Sequence, residues 1–429
     1  MTLVDLRVEI AFASDPGGGN PVYQDVSRRV LACSVKRGRQ YELDTIQPST
    51  LTLRLDNGDR ALDPTYTGSP YYPNVIPMRP VRVSTVYAGT TYYLFTGYVE
   101  RWPITWDAPT WGSATLTGID SMATLAAAQV TGSFAQETTG ARISEILTAA
   151  SWSVAAPVAG ASYWVLGTGK LDTTTVLSYN PPTSIIDTGR SLVQAVTLAT
   201  SSNTSALSHI QSMAGAERGI FFIDGQGRAV FHDRAHRFNT TSAGTFVDAT
   251  STPAGIYYHN LLPDLDAARV FNDITVTATP GGTAQNAIDA TSQLHYLRRS
   301  MTLSPPLVTN SDALGRATYE LALSKDARLR FEQMVLKPQG QEACWAHALG
   351  REISDKILVQ RAPATPTQYA TGQINQSCFI ESIQHDIKPG EWTTTFQLSP
   401  ADLYTGWFTL GTAKLGSPAN TATSSALGF

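Results

Sequence analysis

The 429-residue sequence predicts an α+β protein that is mainly β, with two related β-barrel domains and an α+β region inserted between them. Alternating apolar and polar residues towards both ends of the chain predict strands with one buried face. Apolar residues at helical spacing occur at three separate places. The predicted divisions are a first barrel at 1–120, the insertion at 121–264, a second barrel with one packed helix at 265–405, and a flexible or partner-bound tail at 406–429.

The first predicted barrel is built from short strands separated by turn residues. Leu51, Leu53 and Leu55 alternate with polar residues, as is typical of a strand with one wet face. An Asn-Gly pair and an Asp-Pro pair follow as turn signals. Aromatic and β-branched residues mark a further strand. The other strands of this domain are predicted at 4–13, 81–84, 92–99 and 114–119, with a further strand or turn near 26–33.

The inserted region begins where the apolar spacing changes after residue 120. Ile143, Ile146 and Leu147 predict one helix, and residues 206–214 predict a second, with its N-cap among residues 203–205. The sequence GIFFIDGQGRAVF then predicts a glycine-rich hairpin. Residues 151–183 have no clear period.

Strand patterns return from residue 268, interrupted by one helix. The helix is predicted from Asn310 to Asp326, with Asn310 or Ser311 as its N-cap. Its apolar stripe consists of Leu314, Ala317 and Leu321. The strands of the second predicted barrel lie at 274–278, 356–360, 377–387 and 392–398.

Two segments of the predicted barrels resemble each other. They read YVERWPITWDAPTWGSATLTGID and FIESIQHDIKPGEWTTTFQLSPAD. Glu100 precedes Trp111 by eleven positions, and Glu381 precedes Trp392 by the same number. The similarity predicts one hairpin used twice, although chance resemblance among Thr-rich strands is the alternative.

The alignment of the two segments also makes a prediction about packing. After the Trp, each copy continues as a Thr-rich strand, so that Leu116 aligns with Leu398 and Asp120 with Asp402. In both copies we expect the Trp ring to be buried at the start of this strand, where its N–H can still find an acceptor.

Composition excludes several classes of function. Charged residues make up 15% of the chain and the net charge is −4, so that electrostatic capture of nucleic acid by the whole surface is not expected. A chain with so few charges is typical of a protein buried in an assembly.

The three cysteines lie far apart, which predicts reduced, buried thiols. The N-terminus lacks the pattern of a signal peptide, and no apolar run is long enough to span a membrane. Synthesis in a cytoplasm is therefore expected.

Two motifs suggest binding chemistry but fail on inspection. His232 and His236 would share a face if they lay on a helix and could then hold a metal. However, His232 ends a predicted strand and no third ligand is indicated, which favours an exposed turn. The sequence around Lys170 has Trp164 and Leu171 where a phosphate loop requires Gly and Ser or Thr.

The remaining candidates have equally plain interpretations. Gly225 and Gly227 lack the third glycine of a dinucleotide-binding loop. Glu42 and Asp44 could be argued for glycoside hydrolysis, but surface carboxylates are the favoured interpretation. No catalytic, cofactor-binding or metal residue is therefore predicted. Six arginines cluster in the first predicted barrel, where either interface ion pairs or a solvated strand face would explain them: Arg37, Arg39, Arg54, Arg60, Arg79 and Arg82.

Three parts of the chain resemble the tail-hub family of long-tailed bacteriophages. They are VKRGRQYELDTIQPSTLTLRLDNGDRALDP with the later LFTGYVERW, the helix leading into GIFFIDGQGRAVF, and the Glu381 segment. The resemblance implies two tube-like β-barrels per chain and a homotrimer, whose six barrels continue a sixfold tail tube towards a threefold tip. The chain ends soon after the second predicted barrel, so no lytic domain and no enzymatic activity are expected.

The same resemblance implies the partners and the location. A hub closes the tail tube in the virion, at the end of the channel through which DNA passes during ejection. It would contact the tape-measure protein, the distal tail and tail-tube proteins and the tail-tip or receptor-binding proteins, and the host envelope only indirectly. No cofactor is implied. The alternatives are a distal tail ring protein, a β-rich carbohydrate- or receptor-binding tip protein, and a glycosidase or peptidase acting on the cell wall.

Overall fold

The computed structural model describes residues 4–16, 21–108, 111–152, 184–238, 240–248, 255–265, 267–361 and 374–404, together with two short strands at 163–165 and 170–172. Of these residues, 42% lie in strands and 20% in helices. The prediction of a mainly β chain is confirmed. The largest sheet joins 17 strands, and none of the described sheets closes into a barrel. The predicted tail at 406–429 lies outside the described residues.

Eight strands form the N-terminal part of the largest sheet, which we call the N-terminal module. Five of them correspond to strands predicted at the same places, and the burial of β4 alternates strictly. The strands are β1 (Leu6–Ile10), β2 (Gln24–Asp25), β3 (Val30–Gly38), β4 (Thr50–Asp56), β5 (Pro80–Tyr87), β6 (Thr90–Arg101), β7 (Ile104–Ala108) and β8 (Trp111–Asp120).

The middle of the chain mixes helices with short strands. Both predicted helices are present, and Thr138 and Ser205 cap them. The elements are α1 (Met122–Ala127), β9 (Gly132–Phe134), β10 (Glu137–Thr138), α2 (Thr139–Ala149), β11 (Tyr163–Val165), β12 (Lys170–Asp172), β13 (Ser184–Ile186), β14 (Leu192–Val193), β15 (Val196–Leu198), α3 (Ala206–Ala216), β16 (Ile220–Ile223) and β17 (Ala229–His232).

In the described residues of the last part of the chain there are ten strands and three α-helices. They are β18 (Thr245–Val247), β19 (Ile256–Tyr257), β20 (Asn260–Asp264), β21 (Asp273–Thr277), β22 (Ala284–Ile288), α4 (Ala290–Tyr296), β23 (Ser300–Leu303), α5 (Asn310–Ser324), β24 (Arg330–Leu336), α6 (Cys344–Gly350), β25 (Lys356–Arg361), β26 (Ile374–Lys388) and β27 (Glu391–Pro400). We call β18–β20 and β24–β27, which belong to the largest sheet, the C-terminal module.

The packing of this last part is divided. Strands β21–β23 form a separate three-stranded sheet. Ile274 and Val276 from β21 and Ala313 and Ala317 from α5 share a hydrophobic core with α2 and α3. Strands β18 and β20, by contrast, pair with β25 and β24, and β19 pairs with β18. The division of the chain at residues 120, 264 and 405 stays a prediction.

Helix α5 begins differently from the prediction. Thr309, and neither Asn310 nor Ser311, is the N-cap, because its extended backbone and its exchange of hydrogen bonds with Asp312 form a capping box. The predicted stripe is also partly wrong. Leu314 is exposed, whereas Ala317 is buried together with Ala313 and Leu323.

The two modules have the same strand order. Successive pairings run β1, β5, β6, β8, β4 and β3 in the N-terminal module. They run β18, β25, β26, β27, β24 and β20 in the C-terminal module. Strand β7 continues the line of β6 along β8. Within this order β18 is parallel to β25 whereas β1 is antiparallel to β5.

Local backbone geometry repeats at the same place in each module. Met78 and Ser354 both have positive φ angles, of 64° and 79°. Each donates its backbone N–H across the sheet, Met78 to the carbonyl of Val99 at 2.6 Å and Ser354 to the carbonyl of Ile380 at 2.8 Å. Positive φ is uncommon for residues other than glycine. Its occurrence at matching positions supports the equivalence of the two modules.

The strand pairing corrects the sequence alignment of the two repeats. The register shifts at Glu100 in β6 and at Glu381 in β26, so both glutamates lie at β-bulges, as the alignment implies. Immediately before the bulge, however, Val99 pairs with Gly118 and Ile380 pairs with Leu398. Gly118, two residues after Leu116, is therefore the structural counterpart of Leu398.

The expectation that both Trp rings are buried is correct for only one of them. Trp392 is 1% exposed and packs edge-on against Trp345, whereas Trp111 is 60% exposed. The register places Gly112, and not Trp111, at the position of Trp392. Because neighbouring residues on a strand face opposite sides of the sheet, a shift of one position turns the Trp111 ring to the other face.

Candidate functional site: the junction between the modules

Strand β26 joins the two modules because its neighbour changes at the Glu381 bulge. Its first half pairs with β25 of its own module, up to Phe379. Its second half pairs antiparallel with β3 of the N-terminal module over six residue pairs, from Ser382 opposite Gly38 to Ile387 opposite Cys33. The largest sheet is therefore continuous from one module to the other. Trp345 and Trp392 of the C-terminal module accordingly belong to the core of the N-terminal module.

Gly38 lies where β3 first meets the bulge. Its φ angle is +96°, in the range that favours glycine. A Cβ atom at this position would lie 2.2 Å from the backbone oxygen of Glu381. The next residue, Arg39, donates its backbone N–H to that same oxygen at 2.9 Å. The junction therefore requires a residue without a side chain at position 38.

Glu381 is fully buried and receives hydrogen bonds from three parts of the chain. Arg39 Nε donates to Oε2 at 2.7 Å, and Arg237 Nη1 donates to Oε1 at 2.5 Å. Ser399 Oγ also donates to Oε1, at 2.6 Å. Arg237 additionally donates to Ser354 Oγ at 2.8 Å. One carboxylate thus connects the N-terminal module, the middle region and the C-terminal module.

The pKa of Glu381 reflects this environment. Burial alone would raise the pKa of the carboxyl group, but the charges of Arg237 and Arg39 and their hydrogen bonds outweigh burial and lower it from 4.5 to about 2. The group is therefore ionised at neutral pH and forms a buried ion-paired centre.

This lowered pKa predicts a loss of stability in acid. The charged form of Glu381 stabilises the fold fully above the unfolded pKa of 4.5, and this contribution falls as the pH drops towards the folded pKa of about 2. We expect the difference in free energy of unfolding between the wild type and Glu381→Gln to shrink over this range, measured by denaturation at pH 6, 4 and 3. A difference that stays constant across this series would contradict the assignment.

Further polar contacts lie along the junction. Ser34 Oγ donates to Asp386 Oδ1 at 2.6 Å, directly across the paired strands. Arg37, which is 4% exposed, pairs with Glu352 at 2.7 Å. Arg330 of β24 forms an ion pair with Glu42 from the loop after β3. The two ion pairs each join a residue in or just after β3 to the last part of the chain.

Five of the six clustered arginines form ion pairs. The pairs of Arg37 and Arg39 reach residues near the end of the chain, whereas the other three stay within the first predicted barrel at 1–120. Arg54 is exposed and fits the other interpretation, a solvated strand face. The five pairs are Arg37 with Glu352, Arg39 with Glu381, Arg60 with Asp63, Arg79 with Asp15 and Arg82 with Glu9.

His232, the last residue of β17, lies beside His236 in the turn that follows. Their rings stack with centroids 3.5 Å apart, and His236 Nδ1 lies 3.0 Å from Asp187 Oδ2. Burial, and then the nearby His236 and Arg237, lower the pKa of His232 to about 3. His236 is exposed, as expected. In the part of the chain that the structure describes, no three or more His, Cys, Asp or Glu residues are grouped so that they could hold a metal ion.

The other candidate residues line a cavity, form an ion pair or lie at a packing contact. Glu42 and Asp44 line a cavity of about 300 Å³, and Glu42 is ion-paired with Arg330. Gly225 lies at the tip of the β16–β17 hairpin, where a Cβ atom would lie 2.1 Å from the backbone oxygen of Tyr93. This tip packs against β6, so it is a contact between the middle region and the N-terminal module. Residues 166–169 of the rejected phosphate loop lie outside the described residues.

The cysteine thiols agree with the prediction of reduced, buried residues. Cys33, Cys344 and Cys378 are free and buried, and burial raises the pKa of the Cys344 thiol to about 12. Among the described helices, none combines the length and the apolar character that a membrane crossing needs.

Known proteins share this fold although their sequences differ. No family model matches the chain, and no curated protein matches it. The 43 kDa tail protein of prophage MuSo2 from Shewanella oneidensis is 13% identical, with a TM-score of 0.55 over 94% of this chain and 98% of that one. A tail protein from Neisseria meningitidis MC58 is 10% identical, with a TM-score of 0.56 over 94% of this chain and all of that one.

These similarities define the class of protein to which the fold belongs. Identities this low show a shared fold, and the coverage shows that it extends over nearly the whole chain. The protein has the fold of prophage tail proteins. The resemblance found in the sequence is therefore confirmed at the level of the fold.

Proposed function

We propose that this protein is a structural component of a bacteriophage tail and, more specifically, the hub at the tail tip. In this role three copies form a ring whose six β modules continue the sixfold tail tube and end at a threefold tip. The ring encloses the last part of the channel through which DNA is ejected. The likeness in fold to two tail proteins, one of them from a prophage, supports the general role.

The observation that carries the hub proposal is the matching strand order of the two modules. A sixfold tube needs six similar wall units, and a chain with two such units supplies them with three copies. The β3–β26 junction joins the two units edge to edge, as neighbours in a ring would be joined. We propose that each module corresponds to one barrel-like unit of the tube wall.

The composition supports burial in an assembly. Only 15% of the residues are charged, well below the usual quarter, and many of the arginines are already paired within the chain. The proposed partners are the tail-tube, distal tail and tape-measure proteins on one side and tail-tip or receptor-binding proteins on the other. The protein would act without catalysis, as a part of the virion that touches the host envelope only through these partners.

The oligomeric state tests this proposal. We expect the purified protein to have three times the 46.2 kDa mass of the chain in light scattering or native mass spectrometry, and to restore tail assembly to particles that lack it. A stable monomer that never joins a tail would contradict the proposal, and a hexamer would favour the distal ring protein instead.

A second candidate function has one observation in its favour. Trp106 and Trp111, both on the β7–β8 hairpin, are exposed, and exposed aromatic rings can stack on sugars. Saturable binding of a glycan by the isolated protein, lost in Trp106→Ala and Trp111→Ala, would favour a carbohydrate-binding tip protein. The absence of binding is the result that the hub proposal predicts.

A further inference from the structure

We infer that β20 of one copy pairs with β7 of the next, so that these two unpaired sheet edges form the contact between chains in the ring. The inference rests on the proposed function, because it specifies the surface through which the hub assembles. It is argued from the junction that already exists within the chain, between β3 and the second half of β26.

Among the described strands, β7 forms one edge of the sheet. In the C-terminal module, β26 continues past Glu381 and is covered there by β3. In the N-terminal module, the line of β6 continues past Glu100 as β7, which pairs with β8 on one side. No described strand pairs with β7 on its other side. The position that β3 occupies in the C-terminal module is therefore open in the N-terminal one.

Strand β20 lies at the opposite end of the strand order. In the N-terminal module the order ends at β3, whose outer side pairs with β26. In the C-terminal module it ends at β20, which pairs with β24. No described strand covers the outer side of β20. Among the described strands, one edge equivalent to the second half of β26 (β7) and one edge equivalent to β3 (β20) are therefore unpaired. These two edges are complementary, because β26 and β3 pair with each other within the chain.

The burial of equivalent residues agrees with this assignment. Glu381 is fully buried because β3 and the arginine beyond it cover the bulge, whereas Glu100 at the equivalent bulge is exposed. Apolar side chains are also exposed at both free edges. Trp106 on β7 is 46% exposed, and Leu262 and Leu265 at β20 are 49% and 65% exposed.

Edges of this kind are costly if they stay free. A strand with unpaired backbone groups and apolar side chains is a template for pairing with another chain, and soluble proteins usually protect such edges. Pairing between two different edges is heterologous, so that each copy uses β20 towards one neighbour and β7 towards the other. Such contacts close into a ring when the rotation between copies allows it.

The internal junction also predicts the register between chains. Ser34 lies opposite Asp386 within the chain. Leu262 takes the place of Ser34, because Ser34 pairs through Thr52 with Thr117, and Leu262 pairs through Gln333 with Gln397. Thr117 and Gln397 are thus equivalent. Thr105 takes the place of Asp386, because its partner Ser113 lies four residues before Thr117, just as Thr393, the partner of Asp386, lies four residues before Gln397. Leu262 of one copy is therefore expected opposite Thr105 of the next.

Cysteine cross-linking tests this register. Directly opposite residues on antiparallel strands have Cβ atoms about 4.5 to 5.5 Å apart, within reach of a disulfide or a short bis-maleimide. We expect the full-length Leu262→Cys/Thr105→Cys variant to give linked dimers and trimers on a denaturing gel after oxidation. The native thiols are buried and remain in place.

In the control variant, the cysteine on β20 is moved to an exposed position away from both edges. Leu294 on α4 is 84% exposed, and Leu294→Cys/Thr105→Cys is expected to stay unlinked. Thermal unfolding under reducing conditions shows that both variants are folded. Equal linking in the two variants would overturn the inference.

The mass of the reduced protein separates this inference from the proposed function. A trimer that forms but does not cross-link from Leu262→Cys/Thr105→Cys would overturn the assignment of the edges and leave the hub proposal intact. A monomer would contradict the hub proposal itself. As a second measurement, we expect Leu262→Arg to lower the fraction of trimer, whereas Leu294→Arg does not, and an unchanged trimer in Leu262→Arg would also count against the pairing.

Discussion

Replacing Glu381 with Gln is expected to destabilise the protein by about 3 to 5 kcal/mol at neutral pH, the cost typical of removing one partner from a buried ion pair. The amide keeps the size of the side chain but removes its negative charge. Arg39 and Arg237, which both donate to the carboxylate, would then be left buried without their counter-charge. Urea denaturation followed by tryptophan fluorescence measures the change.

The chain supplies a matched control for this substitution. Glu100 lies at the equivalent bulge of the N-terminal module but is exposed. Glu100→Gln is therefore expected to change the free energy of unfolding by about 0.5 kcal/mol or less in the unassembled chain. Equal effects of the two substitutions would show that the ion-paired centre does not hold the modules together.

Replacing Gly38 with Ala is expected to cost roughly 2 to 4 kcal/mol, the sum of an unfavourable backbone conformation and overpacking. The added Cβ atom would lie 2.2 Å from the backbone oxygen of Glu381, so β3 and β26 must move apart. We expect hydrogen exchange to become faster along both strands, from Cys33 to Gly38 and from Ser382 to Ile387.

Gly89→Ala separates the two contributions. Gly89 also has a positive φ, of +76°, but no atom lies within 4 Å of a Cβ built there. Only the backbone penalty of about 1 kcal/mol is expected, with no change in hydrogen exchange at the junction. A Gly38→Ala variant that behaves like Gly89→Ala would contradict the close approach of the two strands.

Local patterns in the sequence were sufficient to predict many elements. The Leu51, Leu53 and Leu55 alternation, the two capped helices of the middle region and the glycine-rich hairpin all depend on residues close together in sequence. Several elements were not predicted, among them helices α1, α4 and α6 and strand β24. Helices α1, α4 and α6 have only six or seven residues each, too few for a helical period to be recognised.

Pairing between distant strands was predicted less well. Spacing identified the two bulged glutamates, but sequence alignment could not show where the register shifts. As a result it matched Trp111 with Trp392, although one residue of difference places the two rings on opposite faces. The same limit applies to β5, where Arg82 alternates with valines yet is buried against Glu9.

The candidate site itself could not be predicted from the sequence. Glu381, Arg39 and Arg237 lie more than a hundred residues from one another, and only the folded sheet brings them together. Interface ion pairs were one of two interpretations of the clustered arginines, and Arg37 and Arg39 pair with residues in another part of the chain. Their partners, however, lie mostly in other segments, and no local pattern identifies those partners.

Electron microscopy of the assembled protein tests the central claim most directly, because the claim is that one chain contributes two equivalent wall units. Averaged images viewed down the channel are expected to show six similar lobes around a central opening, related by threefold symmetry, with alternating junctions inside and between chains. A ring with a number of lobes other than twice the number of chains, or particles without a ring, would contradict the account.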